Sequence, residues 1–194
     1  PIAFLPIGEN RSVLVFTTHT DEVKRYLDMS DEKFSKVIEN EFGRRLGKIQ
    51  EIGKRCSYPI FFIEAVQQFQ DNLILLGNSA HTIHPNAAQG FNLGLRDVAG
   101  LTECIYSALE NKLSIDNKNI LNSYIELRNS DQQQIIKFTN SLVTSFYHNS
   151  SLYTPITNTI MLFIDCIPEF KSLFLKRAMG LAGYQPRLVR GLNL

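Results

Sequence analysis

Leu73-Ile74-Leu75-Leu76-Gly77-Asn78-Ser79-Ala80-His81-Thr82-Ile83-His84-Pro85-Asn86-Ala87-Ala88-Gln89-Gly90-Phe91-Asn92-Leu93-Gly94-Leu95-Arg96-Asp97 is the stretch on which the fold turns. Leu73 to Gly77 is a short, unbroken apolar run, the pattern of a strand buried on both faces of a parallel or mixed sheet. A loop of small and polar residues follows, and helical periodicity begins at about Gly90. Gly77 permits close backbone approach where the strand ends, and ligands of α/β folds commonly bind beyond the carboxyl ends of such strands. Gln89 to Asn92 stand at a helix N-terminus, where unpaired N–H groups and the positive dipole end suit a group carrying negative charge. On these grounds alone the segment is equally an anion site or a structural loop with a glycine cap.

Upstream, Ile2, Phe4 and Ile7 and then Val13 to Phe16 flank the turn cluster Gly8-Glu9-Asn10-Arg11, which predicts a hairpin over residues 1–18. Residues 21–47 read as helical, restarting at Ser30 as N-cap and ending at Gly43 or Gly47. Tyr58 to Ile63 are aromatic and β-branched, so 56–68 reads as extended, with one of Phe61 and Phe62 on the core. Downstream, the spacing predicts a helix through Leu93, Val98, Leu101, Ile105 and Leu109. A longer helix is expected over 118–147, its apolar face marked by Leu121, Tyr124, Ile135, Phe138 and Phe146 and its polar middle, Arg128 to Gln134, solvated. Pro155 and Pro168 open two further helices.

The 194 residues are 44% apolar, enough for a substantial core, and the net charge of +1 argues against a nucleic-acid partner. Cys56, Cys104 and Cys166 make neither CxxC nor zinc spacing and read as buried, reduced thiols of a cytoplasmic chain. The longest apolar runs are far short of the ~20 residues of a membrane span. The opening Pro1-Ile2-Ala3-Phe4 has no basic n-region, so no signal peptide is expected there, and it reads as the middle of a longer pattern.

The stretch from Gly77 closely resembles the second FAD motif of the para-hydroxybenzoate-hydroxylase-like flavoprotein monooxygenases, Gly-Asp-Ala-Ala-His-x-x-x-Pro-x-x-Gly-Gln-Gly-x-Asn-x-Gly-x-x-Asp. Gly77, Ala80, His81, Pro85, Gln89, Gly90, Asn92, Gly94 and Asp97 match it in register. Asn78 replaces the acid that bonds the ribityl chain, keeping an acceptor and adding a donor without charge. Ala88 replaces a glycine. Gly77-Asn78, the later Thr-x-His-Pro-x-Ala, and the ending Gly180-Leu-Ala-Gly183 with Pro186-Arg-Leu-Val-Arg-Gly191-Leu are similar to the 2-polyprenyl-6-methoxyphenol hydroxylase branch of ubiquinone biosynthesis.

The resemblance implies an α+β fragment of a two-domain α/β flavoprotein monooxygenase fold: β-strands with a helix at the N-terminal side, then a helical C-terminal block. Residues 1–68 would belong to the substrate domain, 69–110 to the FAD-binding domain and 111–194 to a helical end. The Gly-x-Gly-x-x-Gly of the family's nucleotide-binding half is not in this sequence. The implied cofactors are FAD and NAD(P)H. The implied reaction is hydroxylation of a polyprenyl phenol with O₂ through a C4a-hydroperoxyflavin. Cofactor contacts are expected at Gly77, Asn78, Pro85, Gln89, Gly90, Phe91, Asn92 and Leu93. His84 is the candidate base for the phenol proton, against a plain loop role. His81 and His84 lack a third ligand, so no metal site is expected. Arg96 and Asp97 read as a cap or salt bridge. Phe170 to Leu194 hold five Lys or Arg and no acid, which reads as a surface for the inner membrane or as packing with solvated charges. Other ubiquinone-biosynthesis proteins are further expected partners. A flavin hydroxylase of another phenol and a non-catalytic assembly module are the competing readings.

Overall fold

The computed structural model describes residues 1–85, 88–115, 118–147 and 153–194. Asn86 and Ala87 of the motif loop and the side chain of Phe146 lie outside the described residues. The chain forms two compact units, Pro1–Ile60 and Phe61–Leu194.

In the first unit β1 (Ile2–Gly8) pairs antiparallel with β2 (Arg11–Phe16). Glu9 and Asn10 both take positive φ, 51° and 57°, the left-handed pair that matches strand twist in a tight hairpin. Helices α1 (Thr20–Asp28) and α2 (Asp31–Phe42) follow. Ser30 caps α2 by accepting from the Lys33 amide at 3.4 Å, and Gly43 ends it at φ 82°. Phe4 packs edge-on against Phe42, and Phe16 against Tyr26 and Phe34. Arg55 donates to the carbonyls of Tyr26 and Met29, at 2.8 and 2.6 Å, and lies over the Phe34 ring.

In the second unit the strands are two residues long: β3 (Ile63–Glu64) pairs with β6 (His81–Thr82), and β4 (Phe69–Gln70) with β5 (Leu73–Ile74), both antiparallel. The expected buried strand from Leu73 to Gly77 is therefore shortened and re-partnered. The Asp71 turn, at φ 52°, folds Leu73 back on Phe69–Gln70, Leu73 is exposed, and Gly77–Ser79 is a 3-10 turn. Residues 56–62 form no strand, and Phe61 and Phe62 are both exposed, so neither takes the core position expected of one of them.

Helices α3 (Gln89–Glu110) and α4 (Lys118–Tyr147) pack together and carry the core, in which Leu93 meets Ile83, Ile135 and Ile136. α5 (Tyr153–Cys166) and α6 (Pro168–Ala178) complete the chain, with Pro168 in the first turn of α6 as proline geometry favours. Phe174 of α6 packs edge-on against Phe138 of α4, ring centroids 5.8 Å apart. Two expectations are overturned. Arg128, Asp131 and Gln132, taken as solvated, are buried. Cys56 and Cys166, taken as buried, are exposed, and Cys104 is half-buried.

Candidate functional site

Gly77 and Gly94 bring the 3-10 turn and the second turn of α3 together. Gly77 has φ 57°, and a Cβ added at Gly94 would stand 3.3 Å from the Gly77 Cα. A side chain at 94 therefore forces the 3-10 turn away from the helix. At the N-cap, Ala88 takes φ 51°, the left-handed conformation that glycine adopts freely and that costs an L-residue about 1–2 kcal/mol. No side chain caps α3 there, and its first turn holds no Asp or Glu. Among the described residues, the leading amides of this 22-residue helix therefore have no side-chain cap.

The side chains of the motif divide into two sets. Asn78, Pro85, Phe91 and Asn92 are exposed around the helix start. Gln89 and Leu93 point inward: Gln89 Nε2 donates to the Ala178 carbonyl, and Leu93 is fully buried. Gly90 differs from Gly77, which has a positive φ, and from Gly94, which is crowded. A Cβ there would lie 3.6 Å from Ile83 Cγ1, an ordinary contact, so the chain's own packing does not require glycine at 90. His84 is half-buried at the end of the loop.

Beneath the helix start lies a buried ionic network. Asp97, with no exposed side-chain surface, accepts from His81 Nε2 at 2.6 Å, Arg128 Nε at 3.0 Å and Gln132 Nε2 at 3.0 Å. A carboxylate only accepts, so His81 carries its proton on Nε2. Asp131 meets Arg128 Nη1 at 2.7 Å and Arg96 Nη1 at 3.2 Å. Arg96 also donates to the Gly180 carbonyl at 3.1 Å. Burial, opposed by Asp131, pulls the Arg96 guanidinium below its ordinary pKa. Burial and the Asp97 charge push the Tyr124 phenol well up, so it stays protonated.

Glycines make room for the network. A Cβ at Gly100 would meet Arg128 Cδ at 2.8 Å. At Gly180, with φ 69°, it would meet Gln89 Oε1 at 2.6 Å, and at Gly183, with φ 86°, Asp131 Oδ1 at 3.1 Å. The C-terminal motif is therefore a buttress on α3 and α4. Glu103 secures it by accepting from Tyr184 Oη and the Arg187 amide.

The salt-bridge role read for Arg96 and Asp97 holds, whereas their partners Arg128, Asp131 and Gln132 were missed. Their signal was present: Tyr124, Arg128, Asp131 and Ile135 continue one helical stripe, so polar residues stand where core residues are expected. Among the described residues no group of three His, Cys, Asp or Glu is placed to hold a metal. No described helix is long and apolar enough to cross a membrane.

The FAD binding domain family model matches residues 2–139. A ubiquinone hydroxylase, UbiL, of Rhodospirillum rubrum is 36% identical over 200 residues, covering 100% of this chain and 46% of the relative. A 3-demethoxyubiquinol 3-hydroxylase of Escherichia coli is 35% identical over 108 residues, 56% of this chain and 27% of the relative. The mitochondrial ubiquinone biosynthesis monooxygenase COQ6 of Dictyostelium discoideum is 22% identical over 93% of this chain and 42% of its own length. The chain thus spans less than half the length of these relatives.

Proposed function

The chain belongs to the FAD binding domain family, and on that premise we propose that it is the flavin-facing part of a hydroxylase acting on the aromatic ring of a polyprenyl phenol in ubiquinone biosynthesis. The names of the relatives support the substrate class. One observation supports the placement of the flavin: Gly90, at a helix start without a side-chain cap, meets nothing closer than an ordinary contact among the described residues that would require glycine.

In this reading the amides of residues 90–93 would hold the electron-rich N1–C2=O edge of the isoalloxazine. Fixed donors stabilise the charge that gathers there on reduction without having to reorganise. Gln89 and Leu93 contribute backbone only, because their side chains are committed inward. Asn78 offers its exposed amide to the ribityl chain, and Gly77 keeps the turn close to the helix. Pro85 stiffens the loop wall. Phe91 and Asn92 present exposed side chains to the cofactor. FAD, when bound, would supply the redox chemistry of an NAD(P)H- and O₂-dependent hydroxylation in which one oxygen atom enters the ring and the other leaves as water. His84 is the candidate acceptor for the phenol proton, a role that suits an imidazole near neutrality. Residues 1–68 would serve the substrate side.

The visible spectrum of the complete natural gene product, purified without added cofactor, tests the reading. Flavin bands near one per chain are expected, as is NAD(P)H- and O₂-dependent hydroxylation of a polyprenyl phenol. Gly90→Ala should lose the bands while melting at the same temperature or slightly higher, since alanine favours a helix by roughly 0.5–1 kcal/mol over glycine. A colourless, folded product that takes up no added FAD would overturn the proposal.

A further inference from the structure

The start of α3 is held by the end of α6. Ala88 stands before α3 with a left-handed φ of 51°, and its amide donates to the Pro85 carbonyl at 2.9 Å. Gln89, the first residue of the helix, is 2% exposed, and its Nε2 donates to the carbonyl of Ala178. Ala178 is the last residue of α6, where helices leave acceptors without intrahelical partners.

α6 ends in a left-handed glycine. Gly180 has φ 69°, its amide donates to the Arg177 carbonyl at 3.0 Å, and the Leu181 amide reaches back to the Lys176 carbonyl at 2.8 Å. The Gly180 carbonyl accepts from Arg96 at 3.1 Å and from Gln185 at 2.9 Å, which ties the turn to α3 a second time. The fit is close: a Cβ at Gly180 would stand 2.6 Å from Gln89 Oε1. That oxygen is buried without a hydrogen-bond partner among the described residues. The carboxamide is therefore held by its nitrogen and by contact with Gly180, and loses its place if either changes.

We propose that the end of α6, Ala178 to Gly180, is a positioning element of the flavin site, although it lies outside residues 2–139 matched by the FAD binding domain. Through Gln89 it sets where the amides of residues 90–93 stand, and so how much more tightly the site holds reduced than oxidised FAD. The inference rests on the flavin placement proposed above. Reduction gathers negative charge at N1–C2=O, so fixed donors favour the reduced form. Donors that have lost their anchor lose more affinity for that form than for the oxidised one. The Gln89 side chain, turned inward, acts only through the helix start.

In the complete natural protein, Gln89→Met keeps the length of the side chain but cannot donate to Ala178. It should weaken oxidised FAD about 10-fold and lower the two-electron midpoint potential of bound FAD by ~30 mV, which corresponds to a further 10-fold loss for the reduced form. Gly180→Ala should move the potential in the same direction. Added to Gln89→Met it should change the potential little more, because the carboxamide it displaces is already gone. Ile38→Val, in the core of the first unit, should lower the melting temperature and leave the potential where it is. A Gln89→Met protein that loses stability but keeps the wild-type potential would overturn the inference alone. So would effects of the two substitutions that simply add. A wild-type protein that takes up no FAD would overturn both the inference and the reading it rests on.

Discussion

Asp97 takes three hydrogen bonds from three side chains on two elements, β6 and α4, and is fully buried, out of reach of bulk solvent. Asp97→Ala leaves the Arg128 charge and two further donors short of an acceptor. Breaking a buried pair from one side costs about 3–5 kcal/mol, and urea unfolding should show a midpoint lowered accordingly. The thiols offer a second check at this scale. Burial and the neighbouring Glu103 raise the Cys104 pKa, so less of it is thiolate at pH 8 than of an ordinary cysteine. Iodoacetamide should modify the exposed Cys56 and Cys166 first, and the lag at Cys104 should shrink as pH rises. A uniform rate across the three would contradict the half-buried position of Cys104.

At the scale of elements, α3 and α4 touch where Gly100 gives way to the aliphatic stem of Arg128. A methyl group at that point must displace the arginine, and overpacking of this kind costs about 1–3 kcal/mol. Gly100→Ala should therefore lower the melting temperature, although alanine is the better helix former. The helices themselves were legible in the sequence because periodicity and local signals agree: Ser30 before α2, Gly43 after it, Pro168 opening α6. The strands were not. Leu73 to Leu76 are apolar enough for a central strand, but among the described residues the strand beside Leu73–Ile74 is Phe69–Gln70, reached across the left-handed Asp71 turn. The nine matching residues of the motif located the helix start. The buried face of α4 is hidden by its composition: Arg128, Asp131 and Gln132 look like solvent residues until their stripe is followed from Tyr124 to Ile135.

For the whole molecule, residues 43–62 hold neither helix nor strand. Four basic residues there, Arg44, Arg45, Lys48 and Lys54, are exposed, whereas Arg55 is held by two carbonyls and by Asp31. Limited trypsin treatment should cut at 44, 45 or 48 well before 55, as mass spectrometry of the first fragments would reveal. Early cleavage after Arg55 would mean that its three bonds do not persist in solution.

The bond from Arg96 to the Gly180 carbonyl joins residues 84 apart in sequence. A ribosome adding ~5–20 residues per second needs on the order of 4–17 s to travel between them. Throughout that interval the helix that opens at Gln89 has been made, but the carbonyl that steadies its arginine has not. The shape of the site is thus a late event in the life of the nascent chain, and a message or a ribosome that stops short of Gly180 releases α3 with α4 and Asp131 beside it but without the carbonyl that completes the hold on Arg96.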